Sequence, residues 1–396
     1  MTQNQIDSAI DKLINRQQKI NTFVIEKIAG RVKDIGELLP SDVMSLKQLF
    51  SVSQDLNEIT KEIATVTQVN QKAIKQLIED IALSMYEESE FMYIFKDMKQ
   101  LAFEENKPLQ RVIKAIEKQT LGEYVNISKA QAFMIRNRRT NTFAPTPIAK
   151  AYQEVIDTAV QSTHQGVTDY QTAMRRTLQE LNESGIKTVT YDTPSGKPYA
   201  QSVEAAVRRN ILDGVRAINQ GVQDEIGKEV GTDGKEITVH LNSAPDHEPV
   251  QGHQFTNEEF DKLQNAESFK DVNGNIFAPI ERAIGTLNCR HFTYSIIVGL
   301  NKPNYTQEQL DQMIANNHKG YTLSNGKHLT LYECSQMQRQ YERNIRKMKT
   351  GEKMAKEAGD EQLENHYKTK KDKLLKQYQI FSNACKLRTK PGRLIT

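Results

Sequence analysis

Ala244-Pro245-Asp246-His247-Glu248-Pro249 leads into Gly252-His253, and downstream Asn288-Cys289-Arg290-His291 runs into the apolar stretch 292–300. These segments bracket a block unlike the rest of the chain. His247, His253, Cys289 and His291 fall within 45 positions of a sequence that holds eight His and three Cys. The stretch after His291 is also the clearest strand signal present, a short run of apolar, β-branched and aromatic residues. Elsewhere the periodicity is helical, so a sheet is needed here. The expected fold is mainly α with a small α+β central domain.

Working outward, residues 237–241 read as a second strand, reached through the turn Gly231-Thr232-Asp233-Gly234. Before it, Val207, Ile211, Val215, Ile218, Val222 and Ile226 recur at helical spacing and predict a helix over 203–228. Residues 187–191 and 197–199 flank Thr193-Pro194-Ser195-Gly196 as a hairpin. On the downstream side Asn257-Glu258-Glu259 opens a short helix, and Val272-Asn273-Gly274-Asn275 is a turn. Thr306 is placed to cap a helix carrying Leu310 and Met313, and Ser324-Asn325-Gly326-Lys327 supplies an Asn-Gly hairpin turn.

Long amphipathic helices are expected at both ends. Ile6, Ile10, Leu13, Ile14, Ile20, Val24 and Ile28 make one stripe. A second helix, starting at Pro40-Ser41-Asp42, carries Leu46, Leu49, Ile59 and Ile63, and a third carries Ile74, Leu77, Ile78 and Ile81. Two prolines, Pro145 and Pro147, mark a boundary, after which one helix is predicted over 148–182. Two basic helices close the chain, reversing at Ala358-Gly359-Asp360. The expected division is therefore a helical region over 1–140, an α+β core over 141–320, and a β-hairpin with a C-terminal helical hairpin over 321–396.

Composition narrows the class. The 396 residues are 37% hydrophobic, lack Trp and have a mean hydropathy of −0.64, low for one large core. No run of about 18 apolar residues occurs, so no membrane span is expected. Three scattered cysteines argue against a disulfide framework and for synthesis in a reducing cytoplasm. Net charge is only +3, yet residues 331–396 hold 16 Lys+Arg against 8 Asp+Glu. Arg339, Arg343 and Arg346 share a helix face, with Lys347 beside them. Such a face suits phosphate or a partner's carboxylates, and is equally a solvated helix surface. Further basic groups lie at Arg136, Arg138 and Arg139, and at Arg175-Arg176.

Three chemistries fit the His/Cys block. His247, His253, Cys289 and His291 are the right residue types for tetrahedral zinc, tying the loop after one strand to the entrance of the next. Alternatively His247 and His291 hydrogen-bond to carboxylates or carbonyls, with Cys289 a small buried residue. A catalytic arrangement would use Asp246, His247, Glu248, Asn288 and His291 around a metal, or Cys289 as nucleophile. No phosphate-binding glycine loop, G-x-S-x-G elbow or H-E-x-x-H helix accompanies them, so the expectation is a protein that is not an enzyme.

Taken together, Val207-Arg208-Arg209-Asn210, Ala244 to Pro249 with Gly252, Asn288-Cys289-Arg290-His291, Lys302-Pro303-Asn304-Tyr305-Thr306 and the basic C-terminal hairpin resemble the phage minor capsid protein 2 family. The resemblance covers roughly residues 140–396. It implies a virion protein of a tailed bacteriophage, associated with the portal vertex or the head interior. The implied partners are the portal protein or major capsid protein, with non-specific contact to packaged viral DNA through the basic helices. The implied roles are head assembly, DNA packaging or DNA delivery. The resemblance supplies no catalytic residues.

Overall fold

Nothing between Leu46 and Glu88 can stop a helix, since that segment contains neither Gly nor Pro, and it forms one helix of 43 residues. The second and third helices expected near the N-terminus are thus one. This computed structural model describes residues 3–37, 46–137, 140–164, 170–190, 199–271, 274–286 and 289–396. The expected helix start at Pro40-Ser41-Asp42, the turn at 193–196, and Arg138, Arg139, Val272, Asn273 and Asn288 lie outside the described residues. The fold is mainly α with a few small sheets, as the periodicities predict. No described helix is long and apolar enough to cross a membrane.

The chain packs as two units, each drawn from three separate stretches. One comprises Met1–Ala9, Ala73–Glu123 and Arg208–Met337; the other comprises Ile10–Lys72, Tyr124–Val207 and Gln338–Thr396.

The first unit contains the α+β part. Its sheet has Gly234–Ile237 at the centre, with Gln254–Thr256 on one side and Thr293–Ile296 on the other, both antiparallel. Both predicted strands are present but shorter and shifted. The upstream strand begins at Gly234 rather than residue 237, because Gly234 has no Cβ to strike the Phe255 carbonyl, which would lie 2.5 Å away. A core of Ile237, Val250, Phe255, Phe260, Leu263, Phe269, Phe277, Ile280 and Ile284 fills one side. Within it Phe255 meets Phe269 and Phe277 edge to face, at centroid distances of 5.7 and 5.0 Å. Two capping boxes start the neighbouring helices: Thr256 with Glu259 for Asn257–Gln264, and Thr306 with Gln309 for Gln307–Lys319.

Thr293–Ile296 is an edge strand, and its outer backbone is closed by the helix Val203–Val230. Asn219 accepts from Thr293 N–H at 2.9 Å and donates to Thr293 C=O at 3.1 Å. Gln223 accepts from Ser295 N–H at 2.8 Å. The match is metrical: four helical residues advance about 6 Å and two strand residues about 6.6 Å. Side-chain amides one helical turn apart therefore meet alternate groups of an edge otherwise open to pairing.

The second unit has a four-stranded antiparallel sheet ordered Thr142–Pro147, Gln131–Asn137, Lys187–Thr190, Tyr199–Ser202. Of the first two, Gln131–Asn137 lies where helix was expected up to residue 140, and Thr142–Pro147 lies at the expected boundary. Pro145 and Pro147 are compatible because their strand is at the edge, opposite Met134 and Ala132. The helix predicted over 148–182 is described as Ile148–His164 and Tyr170–Ser184, with residues 165–169 undescribed between them. The helical hairpin is present as Leu331–Glu357 and Glu361–Ala384. Gly359 takes φ +69° at the reversal, and Asp360 caps the following helix by accepting from Leu363 N–H. Asp360 is in turn gripped by Arg175 through two bonds.

Candidate metal centre

Ile237 pairs with Thr293, so the chain leaving the central strand and the chain entering the edge strand emerge side by side. Thr238 and Phe292 extend this contact by a backbone bond of 2.9 Å. The loop beyond Thr238 carries His247 on a turn whose return is fixed by Gly252 N–H donating to Ile237 C=O at 2.8 Å. Cys289 and His291 precede the edge strand. Antiparallel pairing therefore brings residues 42 positions apart together.

Three of the four expected ligands meet. The Cys289 Sγ lies 3.6 Å from His247 Nδ1 and 3.3 Å from His291 Nδ1, and the three donor atoms lie within 4.8 Å of one another. All are buried, with exposures of 1% for His247, 5% for Cys289 and 3% for His291. His253 stands apart: its Nδ1 is bonded to the Gln251 carbonyl, its Nε2 to Gln307 Oε1, and its ring packs on Phe255 and Phe277.

The outer nitrogen of each clustered ring has its own partner. His247 Nε2 donates to the Arg282 carbonyl at 2.8 Å. Asp246 Oδ2 is 3.5 Å from the same nitrogen, and its carboxylate is held by a two-pronged bond from Arg282. His291 Nε2 donates to Gln251 Oε1 at 3.2 Å; the His240 backbone N–H donates to that same oxygen, which orients the amide. Both imidazoles thus carry their proton on Nε2 and present an Nδ1 lone pair to the sulfur. Glu248 does not join them: it accepts from Asn317 and His318.

Electrostatics follow from these contacts. Burial pushes the Cys289 thiol up, but the His247 hydrogen bond and backbone N–H groups, including that of His291, outweigh it and hold the pKa below its ordinary value. Burial likewise opposes charge on His247, yet the sulfur, the Arg282 carbonyl and Asp246 raise its pKa. Burial, then the neighbouring His240 and His247, drives His291 well below the ordinary imidazole value. His240 is pulled down to about 4, chiefly by burial and then by Arg216 and Arg290.

Two neighbours carry no recognisable spacing signal. The His240 ring lies 5.0 Å from that of His291. Arg216, 3% exposed, donates from Nε to the Cys289 carbonyl at 3.1 Å and stacks its guanidinium 3.9 Å over Phe292. A buried Arg on an apolar helix stripe could have been noticed, since Arg216 follows Val215 directly, but what it faces could not. A cavity of about 870 Å³ is lined by His240, Phe292, Tyr294 and Asn304, and one of about 580 Å³ by Asp246, Arg282 and Tyr332; none of the trio lines either.

The basic residues of the C-terminal helix, in the second unit, divide. Arg346 is turned inward, 6% exposed, bonding Glu204 and the Arg393 carbonyl, and Lys347 is paired with Glu183. Arg343 is exposed and Arg339 half-buried. The i, i+4, i+7 spacing places these groups near one another but does not say which are already satisfied by acids from elsewhere in the chain.

Compared with known families, residues 1–381 match the model of one described as Phage minor capsid protein 2. No curated protein and no solved structure matches the chain.

Proposed function

The chain belongs to the phage minor capsid protein 2 family and is thus a structural component of a phage head, placed in the virion among other head proteins; from that premise we propose that it works at the portal vertex or head interior, aiding assembly, DNA packaging or DNA delivery, without turning over a substrate. The family match over nearly the whole chain carries the reading. One feature of the site supports it. The one His/Cys cluster among the described residues is buried and lines neither cavity near it, which suits a structural pin better than a reaction centre. The partners proposed are the portal protein or the major capsid protein, with packaged DNA as a non-specific neighbour of the basic C-terminal segment.

The test is compositional. Heads are purified from wild-type phage and from a portal-deficient mutant, and the protein is quantified against the major capsid protein by mass spectrometry. A low fixed ratio in wild-type heads that collapses without portal is expected. A ratio unchanged by loss of the portal would overturn the portal assignment, and absence from all particles would overturn a role in the mature head.

A further inference from the structure

Three lone-pair donors converge on one point in the first unit, yet only one proton is shared among them. If the Cys289 thiol donates to one Nδ1, the other Nδ1 faces sulfur with nothing between them. If the proton moves to His247, the thiolate faces the His291 lone pair instead. The surroundings do not relieve this: both Nε2–H groups are committed outward, to the Arg282 carbonyl and Gln251 Oε1. The His291 backbone N–H points at the sulfur at 3.4 Å, and Arg216 brings a buried positive charge to the Cys289 carbonyl. A divalent cation satisfies all three donors at once.

We propose that His247, Cys289 and His291 bind one zinc ion through Nδ1, Sγ and Nδ1, clasping the loop after the central strand to the entrance of the edge strand. The spacing fits. Zinc bonds of about 2.3 Å to sulfur and about 2.05 Å to nitrogen, at a tetrahedral angle, separate S and N by about 3.6 Å. The two observed S–N separations are 3.6 and 3.3 Å, so each needs an adjustment of only tenths of an ångström, and all three donor atoms lie within 4.8 Å of one another. The pattern of outer partners is the one that metal-bound imidazoles use, a carbonyl or amide oxygen fixing the tautomer from behind. Sulfur with imidazole selects zinc over the oxygen-seeking magnesium and calcium ions. Binding displaces the thiol proton to solvent: Zn²⁺ plus Cys–SH and two neutral imidazoles gives a singly positive Zn–thiolate centre and one H⁺.

The probes are zinc and Co²⁺ on the full-length chain. Protein made in zinc-supplemented medium is assayed by elemental analysis, then stripped with chelator and titrated with Co²⁺. About one zinc per chain is expected, together with tetrahedral cobalt absorption in the visible and a thiolate-to-cobalt charge-transfer band. Both are lost in Cys289→Ser and in His291→Ala, and kept in His253→Ala. Gln251→Ala, which frees the His291 ring, weakens affinity about 10–100-fold. Should the ligand variants fail to fold, a Cys334→Ala/Cys385→Ala variant keeps the trio intact and must retain the charge-transfer band. Absence of both zinc and the cobalt bands in the wild-type chain overturns the proposal. So does loss of the bands in His253→Ala or in the double cysteine variant.

Discussion

Replacing Asn219 with alanine probes the device that builds the edge strand. In the folded protein its amide answers both the N–H and the C=O of Thr293, a residue 4% exposed. Alanine leaves both backbone groups buried and unpaired. Each orphaned group costs about 1–3 kcal/mol, so the variant loses about 2–6 kcal/mol in all. Asn219→Asp does not rescue it, since a carboxylate still accepts from Thr293 N–H but sets an oxygen against Thr293 C=O. The loss is read from urea unfolding monitored by circular dichroism, with Leu241→Ser, an exposed site, as a control expected within about 0.5 kcal/mol of wild type. If the proposed zinc is bound, its content falls alongside stability, because His291 lies at the entrance to this strand. An Asn219→Ala chain as stable as the Leu241→Ser control would refute the claim that the helix closes this edge.

Other perturbations separate core, charge and surface. Phe255→Ala, emptying the centre of the three-ring cluster, costs about 3–5 kcal/mol in the same unfolding assay; a loss under 1 kcal/mol would mean that the site collapses without strain. Glu342 is buried, and burial raises its carboxyl pKa although Arg393 and Tyr378 oppose the shift. A raised carboxyl contributes stability that is present below the unfolded value near 4.5 and is lost as pH rises through the folded value. Glu342→Gln therefore melts with less dependence on pH in that window, and an unchanged pH profile would contradict the assignment. If the basic C-terminal segment touches DNA, binding to duplex of any sequence weakens steeply with salt, and Arg343→Ala lowers the slope of log K against log salt by about 1. Salt-independent binding would exclude that contact.

Much of this was legible beforehand, for identifiable reasons. The stripe from Ile6 to Ile28 is buried in a helix, because spacing near 3.6 leaves no other way to gather those side chains. Thr306 begins its helix because a short polar side chain satisfies a free backbone N–H group locally. The Tyr321–Thr322 and His328–Leu329 hairpin closes at Gly326, where φ is +84°. Less legible was the hairpin of Gln131–Asn137 with Thr142–Pro147, since prolines signal only the end of a helix until a sheet edge is present to receive them.

The candidate site divides along the same line. Residue types alone marked His247, Cys289 and His291 as donors, because soft ligands are scarce in this chain and these three are concentrated. Sequence could not separate them from His253, equally close along the chain, nor separate Arg346 from Arg343 on one helix face. Those decisions belong to antiparallel pairing, which sets two loops side by side, and to Gln307, Glu204 and Glu183, which reach across and occupy the remaining groups. Periodicity and capping are properties of neighbours in the chain and can be read from it. Which donor meets which acceptor over forty or more residues depends on how elements pack, and only the folded molecule holds that information.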